Sequence, residues 1–153
     1  MTKRILFLFI ALCLPSMALA GNISNAVSST ERFFAKAAKH AQGIEPMIHE
    51  HAGELAGLAK GKKDETIAAL KTIRRGRAPG ERRSRQIVII VESGMNDYIK
   101  SAKSFSQFVG EQDKSAFAAF IAGAESLKEA EIKRLKSLML PEAPRLKTRS
   151  KRP

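Results

Sequence analysis

Between positions 83 and 109 the chain reads RSRQIVIIVESGMNDYIKSAKSFSQFV, and seven apolar or aromatic side chains recur in it at helical spacing. These side chains are Val88, Val91, Met95, Tyr98, Ala102, Phe105 and Val109. Alternating steps of three and four residues place all of them on one side of an α-helix. The spacing predicts a helix over residues 83–109, ended by Gly110, whose apolar side is buried against other helices.

One part of this segment also suits a strand. Residues 87–91, IVIIV, are all β-branched, and such residues are enriched in β-strands. A buried strand needs a partner, and the rest of the sequence offers no second run of this kind. The helical interpretation of residues 87–91 is therefore preferred.

A second long helix is predicted directly after the first. Asp113 can cap it, because a carboxylate accepts hydrogen bonds from the free N–H groups of a first helical turn. Apolar residues continue at helical spacing to about residue 139, and Pro141 stops the helix. The two segments, each about 26 residues long, predict an antiparallel hairpin about 39 Å in length.

The first half of the chain contains shorter helical patterns. Ser29 or Thr30 is expected to cap a helix that Gly43 ends, and Pro46 suits the first turn of the next helix. Gly61 is expected to interrupt that helix before a last helical segment. Each striped face must be buried against another, so the sequence predicts an all-α fold, an antiparallel bundle of four or five helices.

The N-terminus has the three regions of a cleavable signal peptide. Lys3 and Arg4 are a short positive region, residues 5–14 are uncharged and apolar, and residues 18–20 (ALA) suit signal peptidase. The apolar run is too short to span a membrane, which takes about 20 residues. We therefore expect export to the periplasm or the extracellular space of a bacterium.

Three parts of the chain are predicted on this basis. They are a signal peptide over residues 1–20, a helical bundle domain over 21–140 and a basic, disordered tail over 141–153. The leader contains Cys13, the only cysteine, so cleavage removes all thiol chemistry and any disulfide.

The positive charge is concentrated in two segments. Without residues 1–20 the net charge is +10, of which residues 71–86 contribute +6 and the tail contributes +4. The remaining residues balance, and a concentrated positive field attracts anionic partners.

Six arginines in the first basic segment are the candidate ligands for an anionic partner. Arginine forks pair well with phosphate and carboxylate groups. The partners that suit them are an envelope or secreted protein, anionic lipid, lipopolysaccharide or another polyanion. A solvated cluster without a ligand is the competing interpretation. The residues are Arg74, Arg75, Arg77, Arg82, Arg83 and Arg85.

The three histidines suggest a different class of function. His40 and His51 are equally distant from the turn between Gly43 and Pro46, so they could face each other across a helical hairpin, with His49 nearby. Imidazole ligands would suit zinc or copper. The competing interpretation is that His51 belongs to the apolar side of its helix and serves packing.

A strip of small residues offers a surface for close approach. Gly53, Gly57 and Gly61 recur every four residues, a spacing that lets two helix backbones pack closely. The strip could support self-association, or it could weaken the helix, because an interior glycine costs about 1 kcal/mol against alanine.

The sequence contains no pattern typical of catalysis. It has no phosphate-binding glycine loop, no HExxH and no nucleophile with a histidine at helical spacing. We therefore expect a non-enzymatic binding or interaction protein, such as an adaptor, a chaperone or an immunity-type protein, without a cofactor. A small metal-binding bundle that uses His40 and His51 is the alternative.

Overall fold

The computed structural model describes residues 23–73 and 80–140, and within these ranges every regular element is helical. The long helices are α1 (residues 23–42), α3 (Ala52–Ile73), α4 (Gly80–Ser104) and α5 (Lys114–Met139), and α2 (Glu45–Ile48) is a single turn. The predicted all-α bundle is confirmed for this part of the chain. The predicted signal peptide and basic tail lie outside the described residues and stay predictions.

Helix α4 is the centre of the bundle. All seven side chains of the predicted apolar side are buried, and residues 87–91 are helical, as predicted. The predicted end at Gly110 is wrong, because α4 stops at Ser104 and Phe105 and Val109 lie beyond it. The ring of Tyr98 meets the rings of Phe33 and Phe34 of α1 edge to face, with centroids 6.0 and 5.7 Å apart. Contacts of this geometry join α1 and α4 across the core.

Neighbouring helices run antiparallel. Glu92, at the middle of α4, lies 3.8 Å from Lys136 near the end of α5, and Lys103 at the end of α4 lies 2.8 Å from Glu125 in the first half of α5. The hydrogen bond from Lys103 lowers the pKa of the Glu125 carboxyl. Helix α3 packs along the opposite side of α4 in the same antiparallel sense.

An ion pair ties α1 to α5 and closes the bundle. The guanidinium of Arg32 donates through Nε and Nη2 to both carboxylate oxygens of Glu131, at 3.1 to 3.3 Å. Glu131 is buried with 5% exposure, and Arg32 also donates to Ser29. Arg32 is partly exposed, so it is the buried carboxylate of Glu131 that would be left uncompensated if the pair were broken.

The first helix begins earlier than the sequence predicts. It is already helical at residue 23, so the expectation that Ser29 or Thr30 caps it is wrong, and both residues are buried within it. The hydroxyl of Thr30 donates to the carbonyl of Ala26, 2.9 Å away. Ala26 is itself part of the core, and its burial extends the helix upstream.

The predicted boundaries between residues 44 and 73 also need correction. Pro46 lies in the first turn of α2, as predicted, but the helix breaks at His49, whose φ of 47° is left-handed. Gly61 does not interrupt α3, which is continuous from Ala52 to Ile73. The side chains of Leu55, Ala59, Thr66 and Leu70 stay buried across it, and this packing outweighs the weak helix propensity of one glycine.

Two 3-10 turns form the connection between α4 and α5. Helix α4 stops at Ser104, and 3-10 turns follow at Phe105–Phe108 and Glu111–Asp113. Asp113 occupies the position before α5 but makes no side-chain cap hydrogen bond, so the predicted cap is wrong. Its backbone N–H donates to the carbonyl of Gly110 instead, 3.0 Å away, and the 3-10 turn starts the helix.

Gly94 allows α3 and α4 to approach closely. A Cβ atom at this position would lie 3.1 Å from both Cβ and Cγ2 of Thr66 and closer still to its hydroxyl. That hydroxyl donates to the carbonyl of Lys62, 2.7 Å away, and Thr66 is buried, so it has little room to move. Helices α3 and α4 can lie this close together because Gly94 has no side chain.

We predict that Gly94→Ala lowers the free energy of unfolding by about 1–3 kcal/mol, because the methyl group would overpack this contact. Gly57→Ala is the matched control, since a Cβ atom at Gly57 meets nothing within 4 Å. The control should gain about 1 kcal/mol from helix propensity. Urea unfolding measures both, and equal stabilisation by the two substitutions would contradict the close contact.

Candidate functional site

The antiparallel order brings four helix ends together. Residue 23 of α1, Ile73 of α3, Gly80 of α4 and Met139 of α5 all lie at one end of the bundle, as the facing pairs Glu92–Lys136 and Arg32–Glu131 require. We call this the basic end. The other end, formed by the turns at residues 43–51 and 105–113, is called the turn end.

Both basic segments are attached to the basic end. The segment 71–86 joins α3 to α4 there, and the tail begins directly after Leu140, one residue beyond the end of α5. The two segments are far apart in sequence, and only the topology of the bundle brings their attachment points together. The two segments that contain the excess charges of +6 and +4 are therefore both connected to this end of the bundle.

The described arginines of the predicted site differ in exposure. Arg82 is exposed, and Arg85 is exposed and hydrogen-bonded to Glu81 one turn earlier, at 2.7 Å. Arg83 is buried with 4% exposure, because it lies one turn before the core residue Ile87 on the same side of α4. The remaining three residues of the predicted set, at positions 74, 75 and 77, lie outside the described residues.

Helix α5 carries further cations near this end, and the charge distribution along the sequence does not reveal them. Lys133, Arg134 and Lys136 are exposed in its last two turns, and only Lys136 has an ion-pair partner within the described ranges, Glu92. The local charge of residues 87–140 is balanced, so composition gives no signal for them. To find these three cations from the sequence, one would have to know which residues of α5 lie beside which residues of α4.

The grooves between neighbouring helices are open and of mixed charge. The largest of three has a volume of about 370 Å³ and lies between α4 and α5. Three lysines, two glutamates and one isoleucine line it: Glu92, Lys128, Glu129, Ile132, Lys133 and Lys136. With three positive and two negative side chains, this groove carries little of the excess positive charge.

The three histidines have separate environments near the turn end. His40 and His49 are exposed, and the ring of His51 stacks on Phe108 with centroids 3.6 Å apart. Nδ1 of His51 also lies 3.3 Å from a carboxylate oxygen of Glu54. No group of three or more His, Cys, Asp or Glu side chains suited to a metal ion occurs in residues 23–73 and 80–140.

The glycine strip of α3 faces open space. Gly53, Gly57 and Gly61 are exposed, and a Cβ atom at any of them would meet no atom within 4 Å in this part of the chain. The strip therefore does not serve packing between the described helices. Self-association through it stays a prediction.

The hydroxyl of Tyr98 is a polar group in an apolar site. The residue has 0% exposure, and its oxygen has no hydrogen-bond partner among the described residues. Burial raises the pKa of Tyr98 to about 12. The aromatic ring contributes to packing, whereas the hydroxyl is desolvated without compensation.

We predict that Tyr98→Phe raises the free energy of unfolding by about 1 kcal/mol at neutral pH, because it removes this uncompensated hydroxyl. The raised pKa of Tyr98 means that the wild type loses stability as pH rises from about 10 to about 12, where the unfolded state ionises first. The advantage of Tyr98→Phe should then grow by about 2 kcal/mol across this range. Urea unfolding at several pH values measures it, and an advantage independent of pH would contradict a buried hydroxyl.

None of the helices in the described ranges is long and apolar enough to cross a membrane. Comparisons with protein-family models, with curated protein sequences and with solved structures found no significant match to this chain.

Proposed function

We propose that this protein is an exported, non-enzymatic binding protein that engages an anionic partner through its basic end. The observation that carries the proposal is the common attachment of both basic segments to that end. Charges that act from one place add in the field felt by a partner, whereas charges spread over a surface partly cancel. A single end with a charge excess of +10 is suited to attract and orient an extended anionic surface.

The exposed cations of the described helices support this proposal. Arg82 at the start of α4 and Lys133 and Arg134 near the end of α5 have no ion-pair partner in the described ranges. Glu81, next to Arg82, is already paired with Arg85, and Glu131, one turn before Arg134, is paired with Arg32, whereas Glu129 lies one turn before Lys133 and lines the same groove. The basic end therefore presents cations that are free to meet external anions.

The predicted signal peptide determines where the partner would be met. After export, the anionic groups available are acidic protein surfaces, phospholipids, lipopolysaccharide and other envelope polymers. An adaptor, a chaperone and an immunity-type protein would each use such an interaction. The histidines supply no further support for the metal-binding alternative, since the described residues form no ligand cluster.

We predict that the protein binds fluorescent dextran sulfate, with an affinity that falls steeply between about 50 and 200 mM salt, as multiple cation contacts require. Neutralising three cations of the basic end, with Arg74→Gln, Arg75→Gln and Arg77→Gln together, should weaken binding about tenfold at low salt and flatten the salt dependence. Fluorescence anisotropy measures both effects.

The matched control removes three cations near the turn end, with Lys39→Gln, Lys100→Gln and Lys114→Gln together. These lysines are exposed and lie close to residue 42, Ser104 and the start of α5. The net charge of the two variants is the same, so a difference between them reports the position of the charge. Equal losses of affinity would contradict binding through the basic end.

A further inference from the structure

Residues 43–51 connect α1 to α3 across the turn end. They consist of the turn at Gly43, the single helical turn α2 and the 3-10 turn His49–His51, and we call them the strap. Only Ile44 and Ile48 of the strap are buried, with 4% and 1% exposure. A helix of one turn has little stability of its own, because nucleation of a helix is unfavourable. The strap therefore depends on its contacts with the rest of the bundle.

Few contacts attach the strap to the bundle. Helix α2 packs against α3 and against the 3-10 turn Phe105–Phe108, and the ring of His51 stacks on Phe108. The carboxylates near His51 belong to Glu50, in the strap itself, and to Glu54 of α3, at 3.9 and 3.3 Å. Among the described residues, no side-chain hydrogen bond or ion pair links the strap to α1, α4 or α5. Apolar packing and one ring stack therefore hold the strap in place.

The backbone of the strap is strained at one residue. His49 has a φ of 47° and a ψ of −115°, and no other non-glycine residue in the described ranges has a positive φ. Glycine adopts this conformation readily, whereas a Cβ atom makes it unfavourable. The sharp change of direction at His49 keeps Ile48 in the core while His51 reaches Phe108. The contacts that hold the strap thus also maintain the strain, and opening of the strap releases it.

We propose that the strap opens as a unit while the four long helices remain folded. Strain at His49 raises the free energy of the closed state, so the open state is more populated than packing alone would make it. Opening removes Ile44 and Ile48 from the core and uncovers the apolar side of the turn Phe105–Phe108. The turn end thereby alternates between a closed, largely polar surface and an open, apolar one. This device lies at the opposite end from the basic end and is independent of the proposed function.

Native-state hydrogen exchange tests whether the strap opens separately. The amides of Met47 and Ala52 report the strap, because each donates to a carbonyl within it. The amides of Val91 and Tyr98, in the buried core of α4, report global unfolding. After correction for intrinsic rates, the strap amides should exchange at least about a hundredfold faster than those of α4, with a weaker dependence on urea. Equal rates with equal urea dependence would overturn the proposal.

Substitution of His49 separates strain from packing. Glycine tolerates the positive φ, so His49→Gly should slow exchange at Met47 and Ala52 about fivefold. His49→Ala keeps the Cβ atom and the strain, and should not slow exchange. His40→Gly is the matched control, since His40 is exposed in α1 and has no positive φ, and it should not slow exchange at the strap either. Unchanged or faster exchange in His49→Gly would show that strain does not favour opening, and would also overturn the proposal.

Thiol labelling measures the exposure of a buried side chain directly. The variant Ile48→Cys, with Cys13→Ser where the leader is retained, should react with a soluble thiol reagent at least about tenfold faster than Val91→Cys. Addition of Phe108→Ser should raise the rate further, because the ring stack is lost. Addition of Leu138→Ser, an exposed residue near the end of α5, should leave the rate unchanged. Equal labelling rates of Ile48→Cys and Val91→Cys would contradict separate opening of the strap.

Discussion

Burial of the apolar side of α4 is the constraint on which the rest of the structure depends. Seven side chains of this helix are removed from water, and only neighbours on several sides can cover them. Helix α1 supplies Phe33 and Phe34 against Tyr98, while α3 and α5 flank α4 in the antiparallel sense. The antiparallel order follows from short connections between long helices, and it brings the two basic segments to one end.

The functional proposal is a consequence of this topology and not of any single residue. The linker 71–86 and the tail 141–153 are separated by more than fifty residues of sequence with balanced charge. Both are connected to the same end only because α5 runs back antiparallel to α4, with Lys136 near the end of α5 facing Glu92 at the middle of α4. The proposed polarity along the helix axes therefore depends on the linker and the tail, because exposed lysines without an ion-pair partner in the described ranges, such as Lys39 and Lys100, also lie near the turn end.

Local patterns in the sequence predict that the helices exist, but they do not predict the contacts between the helices. The periodicity of residues 87–109 predicts α4 despite the β-branched run, because a buried helix face imposes its spacing on the sequence. The burial of Arg83, the close approach at Gly94 and the Arg32–Glu131 pair depend on which helices become neighbours. Spacing within one helix carries no information about that choice. The helix breaks at His49 and Ser104 were missed for the same reason, since tertiary packing decides where those helices stop.

The central claim, that the start of α4 and the end of α5 share one end of the bundle, can be measured directly by electron–electron resonance between spin labels. Cysteines introduced at the exposed positions Gln86, Gln112 and Ser137 provide the sites, with Cys13→Ser where the leader is retained. The account predicts a Gln86–Ser137 distance below about 25 Å and a Gln86–Gln112 distance of about 35 Å, the length of the intervening helix. A Gln86–Ser137 distance longer than the Gln86–Gln112 distance would contradict it.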